Sequence, residues 1–455
     1  MDQRQLAAEL RRAGQAHVAE HLENLDAGPR ERLARQLAGF DYVLVRRLTE
    51  LAGTAAERQV TGEFEPAPVV PASRAAARIA VARAEGEAAA GRGEVAAFVV
   101  AGGQGTRLRF DGPKGCYEIG PVSGKSLFQI HAEKVLASQR RYAATIPLYI
   151  MTSETNDAGV RSFFEQNAFF GLDPADVFFC VQRMLPAFDA EGRFLLDAPD
   201  HVFVNPDGHG GAYFALESSG AFDDMARRGI RHLSYFQVDN PMVPVIDPVF
   251  VGEHVAAGSE MSSKVLRKRE PLEKLGVFGQ VDGELRVIEY SDMSEELQRR
   301  TLPDGSLRYA FGSIAIHMLD VGFARRMASS DMPFHIARKR IPCLDARGRM
   351  VEPDGPNAIK FERFVFDAVP RARNPVVMEV LREDEFAPVK NFSGDDSPET
   401  ARAAMTAQHH RWLRAAVGGV PDDCEVEISP LFALDAEELA AKAGGLRIER
   451  RMYVE

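Results

Sequence analysis

Paired cysteines are missing from this chain of 455 residues: Cys116, Cys180, Cys343 and Cys424 stand far apart, and none belongs to a C-x-x-C pair. That spacing speaks against a disulfide framework and against a zinc site, and suits a reduced, cytoplasmic protein. Long apolar runs are missing too. No stretch approaches the ~18 residues a membrane helix needs. The opening MDQRQLAAELRRAGQAHVAEHL is charged and helical in pattern, unlike a secretory signal, so no membrane association is expected. Positive charge is in deficit: 55 Lys and Arg face 66 Asp and Glu, for a formal net charge of -11. A general nucleic-acid binder, which needs a broad basic surface, is thereby disfavoured. A small phosphorylated ligand, needing only a few local cations, is not. The chain also offers no internal repeat, no low-complexity tract and no convincing Ser-His-Asp or Cys-His set.

What is present is ordinary for a large-cored protein, 45% hydrophobic and 27% charged, and at roughly 100–200 residues per domain two or three domains are expected. Residues 1–92 read as a helical region, with Leu6, Leu10, Leu33, Leu37, Phe40 and Leu44 at helical spacing and a break at PAPVVPAS (Pro66 to Ser73). From Val95, short apolar runs alternate with amphipathic stretches: VAAFVV, KSLFQIHAEKVLASQ, IPLYIM, GVRSFFEQNAFFG, DVFFCVQ, HLSYFQVDN. Strand alternating with helix predicts a parallel sheet covered on both faces. Between Ser262 and Ala315 the texture changes to strands joined by turns, including GVFGQVDGELRVIEY, which predicts an antiparallel extension with VDG as a hairpin turn. This α/β domain is assigned to residues 93–385. A small C-terminal domain, 386–455, follows, with linker-like NFSGDDSPET and a helix from about Thr400 to Val417.

Directly behind VAAFVV stands AGGQGTRLRFDGPKG, residues 101–115, flexible and basic in an acidic chain. A dinucleotide fingerprint fits Gly103 and Gly105 but finds Leu108 where the third glycine belongs, which argues against a nicotinamide-dependent oxidoreductase. A Walker-type loop is nearly spelled by GPVSGKS (Gly120 to Ser126), yet Ile119 occupies the first glycine's place, and a polar turn ahead of the helix SLFQIHAEKVL reads better. A third reading is a glycine turn after a buried strand whose backbone lines a nucleotide's phosphates, with Arg107 and Lys114 adding charge. By itself such a loop is weak evidence, and a tight turn with solvated basic side chains explains it equally well.

The wider pattern is more specific. A-G-G-x-G-T-R-L followed by P-K-G resembles the signature loop of sugar-nucleotide pyrophosphorylases. VQRMLPAF, NPDGHGGAY, QVDNPMV, VIEYSDM, PNAIKFERFVFD and EVLREDEFAPVKN follow in the order and approximate spacing of one branch, the eukaryotic-type UDP-N-acetylhexosamine pyrophosphorylases of the UDP-sugar pyrophosphorylase family. The likeness spans roughly residues 30–430. It implies a Rossmann-like, GT-A-like nucleotidyltransferase fold, an α/β mixed sheet flanked by helices, with 93–385 as the catalytic domain.

The resemblance also implies the reaction, UTP plus a sugar 1-phosphate giving a UDP-sugar and pyrophosphate, and it distributes roles. Gly102 and Gly103 pass close to uracil and ribose; Gln182, Gly208 and His209 complete the nucleotide site; Arg107 and Lys114 hold the triphosphate. Asp239, after the strand HLSYFQV, is the implied Mg²⁺ ligand. Gly276, Glu289, Tyr290 and Ser313 face the sugar, and Lys360 and Lys390 its phosphate. Each has a plainer reading. Glu289 on a half-exposed strand can simply face water, and the two lysines, set among acids, can be surface ion pairs. Composition alone makes REDEF a solvated turn. Two positions depart from the branch: His209 where asparagine is common, and Ser313 where the motif usually reads G-N. Both bear on recognition of an N-acetyl group, so glucose, galactose or broad UDP-sugar activity stands as the alternative to N-acetylglucosamine 1-phosphate. A non-catalytic nucleotide-binding relative is the remote one.

Overall fold

The computed structural model describes residues 2–53, 62, 64–345 and 348–455. Two compact units account for the chain. One gathers three separated stretches, Met1–Arg58, Arg183–Gly211 and Met332–Val365; the other comprises Gln59–Gln182, Ala212–Asp331 and Phe366–Glu455. Compactness thus divides the chain differently from composition, which drew boundaries after residues 92 and 385 along the sequence.

In the first unit, four helices, α1 (Gln3–Arg12), α2 (Ala16–Asn24), α3 (Ala27–Ala38) and α4 (Tyr42–Gly53), present the leucines at helical spacing to one core. Leu10, Leu33, Leu37 and Leu48 are fully buried there beside Leu185, Phe188 and Phe361. Gln15 ties the turn between α1 and α2 to a distant loop: its Nε2 donates to the Gly192 carbonyl at 2.8 Å and its Oε1 accepts from the Phe194 N–H at 2.7 Å.

The second unit is built on the mixed sheet expected from the sequence. Its parallel part has four strands, β1 (Val95–Val100), β2 (Leu148–Ser153), β3 (Val177–Gln182) and β4 (His232–Gln237). They lie side by side in the order β4-β1-β2-β3. Every residue of β1 and of β2 is buried, as a strand covered on both faces requires. The chain leaves β1 toward β2 and later returns to the opposite flank as β4, so the order reverses between β1 and β4. Ligands of open α/β sheets bind at such a switch point, off the carboxyl ends of the strands.

The antiparallel extension comprises β5 (Met261–Arg267), β6 (Val277–Val281), β7 (Glu284–Ile288) and β8 (Phe311–Asp320), with a further strand, β9 (Val376–Glu379), parallel to β5. β8 pairs with both β5 and β4. At the β6–β7 turn Asp282 and Gly283 take φ of 52° and 80°, left-handed at both central positions, the conformation that makes VDG a tight hairpin. Helices α5 (Ala76–Gly91), α6 (Leu127–Tyr142), α7 (Pro248–Ala256) and α8 (Pro398–Val417) belong to this unit. α8 opens on a capping box at Ser397 and Thr400, two residues ahead of the start read from the sequence. Among the described residues, no helix is long and apolar enough to cross a membrane.

Candidate active site at the switch point

The loop after β1 is shaped by two close approaches and a clamp. A Cβ on Gly102 would fall 1.9 Å from Gln182 Nε2, and one on Gly105 would fall 2.7 Å from the Phe110 ring. A side chain at 105 would strike the backbone of Phe110, and one at 102 would displace the Gln182 amide. Gly103, by contrast, is exposed, with nothing within 4 Å of a built Cβ. From the end of β2, Ser153 Oγ donates to the Gly102 carbonyl at 3.0 Å, and Asn156 Nδ2 to the Ala101 carbonyl at 2.8 Å. The loop then folds back on itself, Lys114 N–H donating to the Gly103 carbonyl at 3.2 Å. Three polar groups lie on or beside this loop. Gln182, last residue of β3, is only 4% exposed, and its Oε1 has no hydrogen-bond partner among the described residues. Buried amide oxygens are normally satisfied, so this one is an acceptor awaiting a donor. Lys114 Nζ lies 3.1 Å from Asp239 Oδ2, at the carboxyl ends of β1 and β4 respectively. Arg107 stands exposed on the short turn Thr106–Leu108.

Asp239 is held from both sides. His131 and Lys134 of α6 reach its segment, the imidazole Nε2 sitting 3.0 Å from the Val238 carbonyl and Lys134 Nζ donating to the Pro241 and Val243 carbonyls at 2.6 and 2.8 Å. On the other side Val389 N–H donates to the Asp239 carbonyl at 2.8 Å, and the Asn240 side chain bonds the Glu385 carbonyl at 2.7 Å and the Ala387 N–H at 3.2 Å. EFAPVK is therefore stitched to VDN, which brings Lys390 beside Asp239 along the backbone. Lys390 Nζ stands 3.7 Å from Asp396 with its side chain 41% exposed. The loop that read as a linker is closed at its base: the N–H groups of Lys390 and Asn391 both donate to the Asp396 carbonyl, at 2.7 and 3.0 Å. Arg109, left-handed at φ 55°, lays its guanidinium 4.3 Å over the Phe392 ring of that loop.

Gly276, Glu289 and Ser313 also come together. A Cβ on Gly276 would meet Glu289 Oε1 at 2.8 Å, and the Ser313 N–H donates to the Gly276 carbonyl at 2.8 Å. Ser313 Oγ stays local, accepting from the Ala315 N–H at 3.5 Å. Tyr290 follows on a short turn, its carbonyl accepting from Gln298 Nε2 at 3.1 Å.

Gly208, His209 and Lys360 lie in the first unit. Gly208 takes φ 73°, and a Cβ there would strike the Arg363 carbonyl at 2.4 Å, so both conformation and space demand glycine. His209 Nδ1 accepts from the Val365 N–H at 3.1 Å, which leaves Nε2 as the ring's N–H. Its ring stacks on Phe364, and burial together with His335 brings its pKa down to about 4, so it is neutral. Lys360 Nζ packs 4.7 Å over Phe203, and burial lowers its pKa. Beneath the glycines Asp207, fully buried, lies between Arg363 and Arg183 at 3.5 and 3.6 Å; burial lifts its carboxyl to about 6 in spite of both cations.

The second glycine loop is settled by its occupant. Glu427, from the strand Glu425–Ile428, seats its carboxylate on the N–H groups of Val122 and Ser123, at 2.8 and 2.7 Å, and on Ser123 Oγ at 2.7 Å. GPVSGKS is a polar turn whose anion is internal.

Sequence reasoning missed the clamps: Ser153, Asn156, Arg109, and the buried partners of EFAPVK. Asn156 in TSETND, a short amide directly after a strand, was the one available signal. Among the described residues, no group of three or more His, Cys, Asp or Glu side chains could by itself hold a metal ion. A lone carboxylate suits a magnesium ion that arrives with phosphate oxygens and keeps several waters, and Asp239 supplies one.

Comparison with known proteins gives the family and the fold. The family described as UTP--glucose-1-phosphate uridylyltransferase matches residues 69–436. A human relative, UDP-N-acetylhexosamine pyrophosphorylase-like protein 1, is 37% identical over 489 aligned residues, covering 98% of this chain and 96% of its own length. UDP-N-acetylglucosamine pyrophosphorylase of Saccharomyces cerevisiae is 40% identical over 369 residues, 78% of this chain and 77% of the relative. The crystal structure of the uridine diphosphate N-acetylglucosamine pyrophosphorylase from Trypanosoma brucei, in complex with an inhibitor, superposes with a TM-score of 0.85 at 27% identity, over 100% of this chain and 98% of that one.

Proposed function

This chain belongs to the UTP–glucose-1-phosphate uridylyltransferase family, and from that premise we propose that it joins UTP to a sugar 1-phosphate, releasing pyrophosphate and a UDP-sugar. The observation that carries the reading is the Lys114–Asp239 pair, 3.1 Å apart at the switch point of the sheet. A cation and a carboxylate at that spot can divide a nucleotide triphosphate between them.

Recognition begins with the base. Gln182 Oε1 accepts from the uracil N3–H and Nε2 donates to a ring carbonyl, a pairing that satisfies the buried acceptor. Gly102 and Gly103 let the backbone run under the nucleoside. The sugar phosphate oxygen attacks the α-phosphorus in line and pyrophosphate departs, so no protein nucleophile is required. Lys114 and Arg107 stabilise charge on the leaving pyrophosphate, and Lys390 orients the attacking phosphate. Asp239 would hold Mg²⁺, which would supply positive charge to offset that of the phosphates. Glu289 and Tyr290, beside Gly276 and Ser313, orient the sugar through its hydroxyls.

N-acetylglucosamine 1-phosphate is the favoured acceptor, supported by the names of the relatives. Ser313 favours a second, broader reading: serine offers one short hydroxyl where asparagine would offer a donor and an acceptor on a longer arm, so plain hexose 1-phosphates are accepted alongside. The scattered, unpaired cysteines favour a cytoplasmic setting for this reading. The experiment is a pyrophosphate-release assay with UTP, Mg²⁺ and a panel of sugar 1-phosphates; no release with any of them refutes the reading.

A further inference from the structure

REDEF reads as a solvated charged turn, yet one of its acids is not in water. Glu385 Oε2 lies 2.7 Å from Lys264 Nζ, and the same ammonium lies 2.6 Å from Asp247 Oδ2. Lys264, on β5, has a fully buried side chain; those of Asp247 and Glu385 are 16% and 12% exposed. The Phe250 ring closes over the ammonium at 5.1 Å. Burial opposes the charge on Lys264, but Asp247 and Glu385 hold its pKa above the usual lysine value.

The three residues occupy informative places. Asp247 ends the segment that begins at Asp239 and caps α7. Glu385 begins the segment that ends at Lys390, and its own carbonyl receives Asn240 Nδ2. One buried cation thus grips the far ends of both segments, while Asn240, Ala387 and Val389 lace their near ends together.

We propose that Lys264 is a positioning residue for the transfer reaction: by gripping Asp247 and Glu385 at once it sets the Asp239 carboxylate and the Lys390 segment in register. The proposal rests on the roles given above to Asp239 and Lys390. It costs the fold a buried triad that an apolar trio could replace, and placement of reacting groups is what such a triad offers in return, since ~1 Å of misplacement can cost about 100-fold in rate.

The test uses the full chain. Lys264→Met removes the ammonium and keeps the stem. Amide exchange across residues 385–391 should accelerate by ~10-fold or more. With N-acetylglucosamine 1-phosphate and UTP, kcat should fall by ~10-fold or more, while the metal-free Kd for UTP stays within about threefold because the glycine loop is untouched. Glu385→Ala should behave likewise, and Glu385→Gln should restore most of the lost turnover, since its amide oxygen still accepts from Nζ. Normal turnover in Lys264→Met or Glu385→Ala overturns the proposal. So does lost turnover with unchanged exchange across 385–391, or a Gln variant no better than Ala. If Lys264→Met does not fold, the Ala and Gln pair decides. Asp239→Asn, measured alongside, separates the two readings: if it turns over normally the site assignment itself fails, whereas an inactive Asp239→Asn beside a normal Lys264→Met sinks only the role of Lys264.

Discussion

Lys114 Nζ sits 3.1 Å from Asp239 Oδ2 across the reversal point of the sheet. Each side chain satisfies the other; under the reading proposed above, a metal on Asp239 would compete with the ammonium for one carboxylate and free Lys114 for the phosphates.

That competition predicts opposite effects on two affinities. Lys114→Ala should tighten binding of Mn²⁺ to the nucleotide-free protein, because a repelling cation is gone, and should cut kcat/KM for UTP by ~100-fold. Asp239→Asn should abolish the Mn²⁺ site and lower turnover by orders of magnitude with the fold kept. Electron paramagnetic resonance of free Mn²⁺ and steady-state kinetics read both. Weaker Mn²⁺ binding in Lys114→Ala would contradict the competition.

The contact of Gly102 with Gln182 predicts non-additivity. Gly102→Ala drives a Cβ to within 1.9 Å of Gln182 Nε2, so it should act by displacing the amide. Gln182→Ala should lower kcat/KM for UTP by ~10–100-fold and erode the preference for UTP over CTP. In the Gln182→Ala background, adding Gly102→Ala should then cost little. Full additivity in a double-mutant cycle would show that Gly102 matters for another reason.

Ser313→Asn should shift preference toward the acetamido sugar. Asparagine carries a donor and an acceptor on a longer arm, and one net hydrogen bond is worth ~0.5–1.5 kcal/mol, roughly tenfold in kcat/KM. The ratio for N-acetylglucosamine 1-phosphate over glucose 1-phosphate is the readout; an unchanged ratio means that the side chain at 313 does not face the sugar.

His131 predicts an acid sensitivity. Burial brings its pKa down to about 3, well below that of a free imidazole. The unfolded chain therefore binds a proton that the folded one refuses, and stability falls as pH drops from the free value toward about 3, at up to about 1.4 kcal/mol per pH unit. Above the free value no effect remains. His131→Gln keeps a donor for the Val238 carbonyl and removes the titration, so denaturant midpoints of the two proteins should converge as pH falls. Parallel curves would refute it.

The parallel strands were legible because VAAFVV and HLSYFQV are short, apolar and bounded, and VDG could turn only one way. The nucleotide loop was legible because Gly102 to Lys114 lie within one stretch of chain. What stayed hidden depends on partners distant in sequence. Lys264 and Glu385 are 121 residues apart, Gln15 and Gly192 are 177 apart, and Ser123 and Glu427 are 304 apart. A charged residue announces its type but not whether its counter-ion arrives to bury it, so REDEF looked solvated and NFSGDDSPET looked loose. The gathering of the helices of residues 1–58 with 183–211 and 332–365 is hidden for the same reason.

Glu427 has a practical consequence. Its carboxylate impersonates a phosphate in the turn at Val122 and Ser123, so the intact protein carries a decoy that keeps a ready-made anion cradle shut. A chain cut short ahead of Glu427 would lay bare two aligned N–H groups and a hydroxyl, and sulfate or phosphate from the buffer would settle there. Trimming the tail would then add an affinity the whole enzyme never displays, and phosphate inhibition measured on such a fragment would describe the cut and not the catalyst.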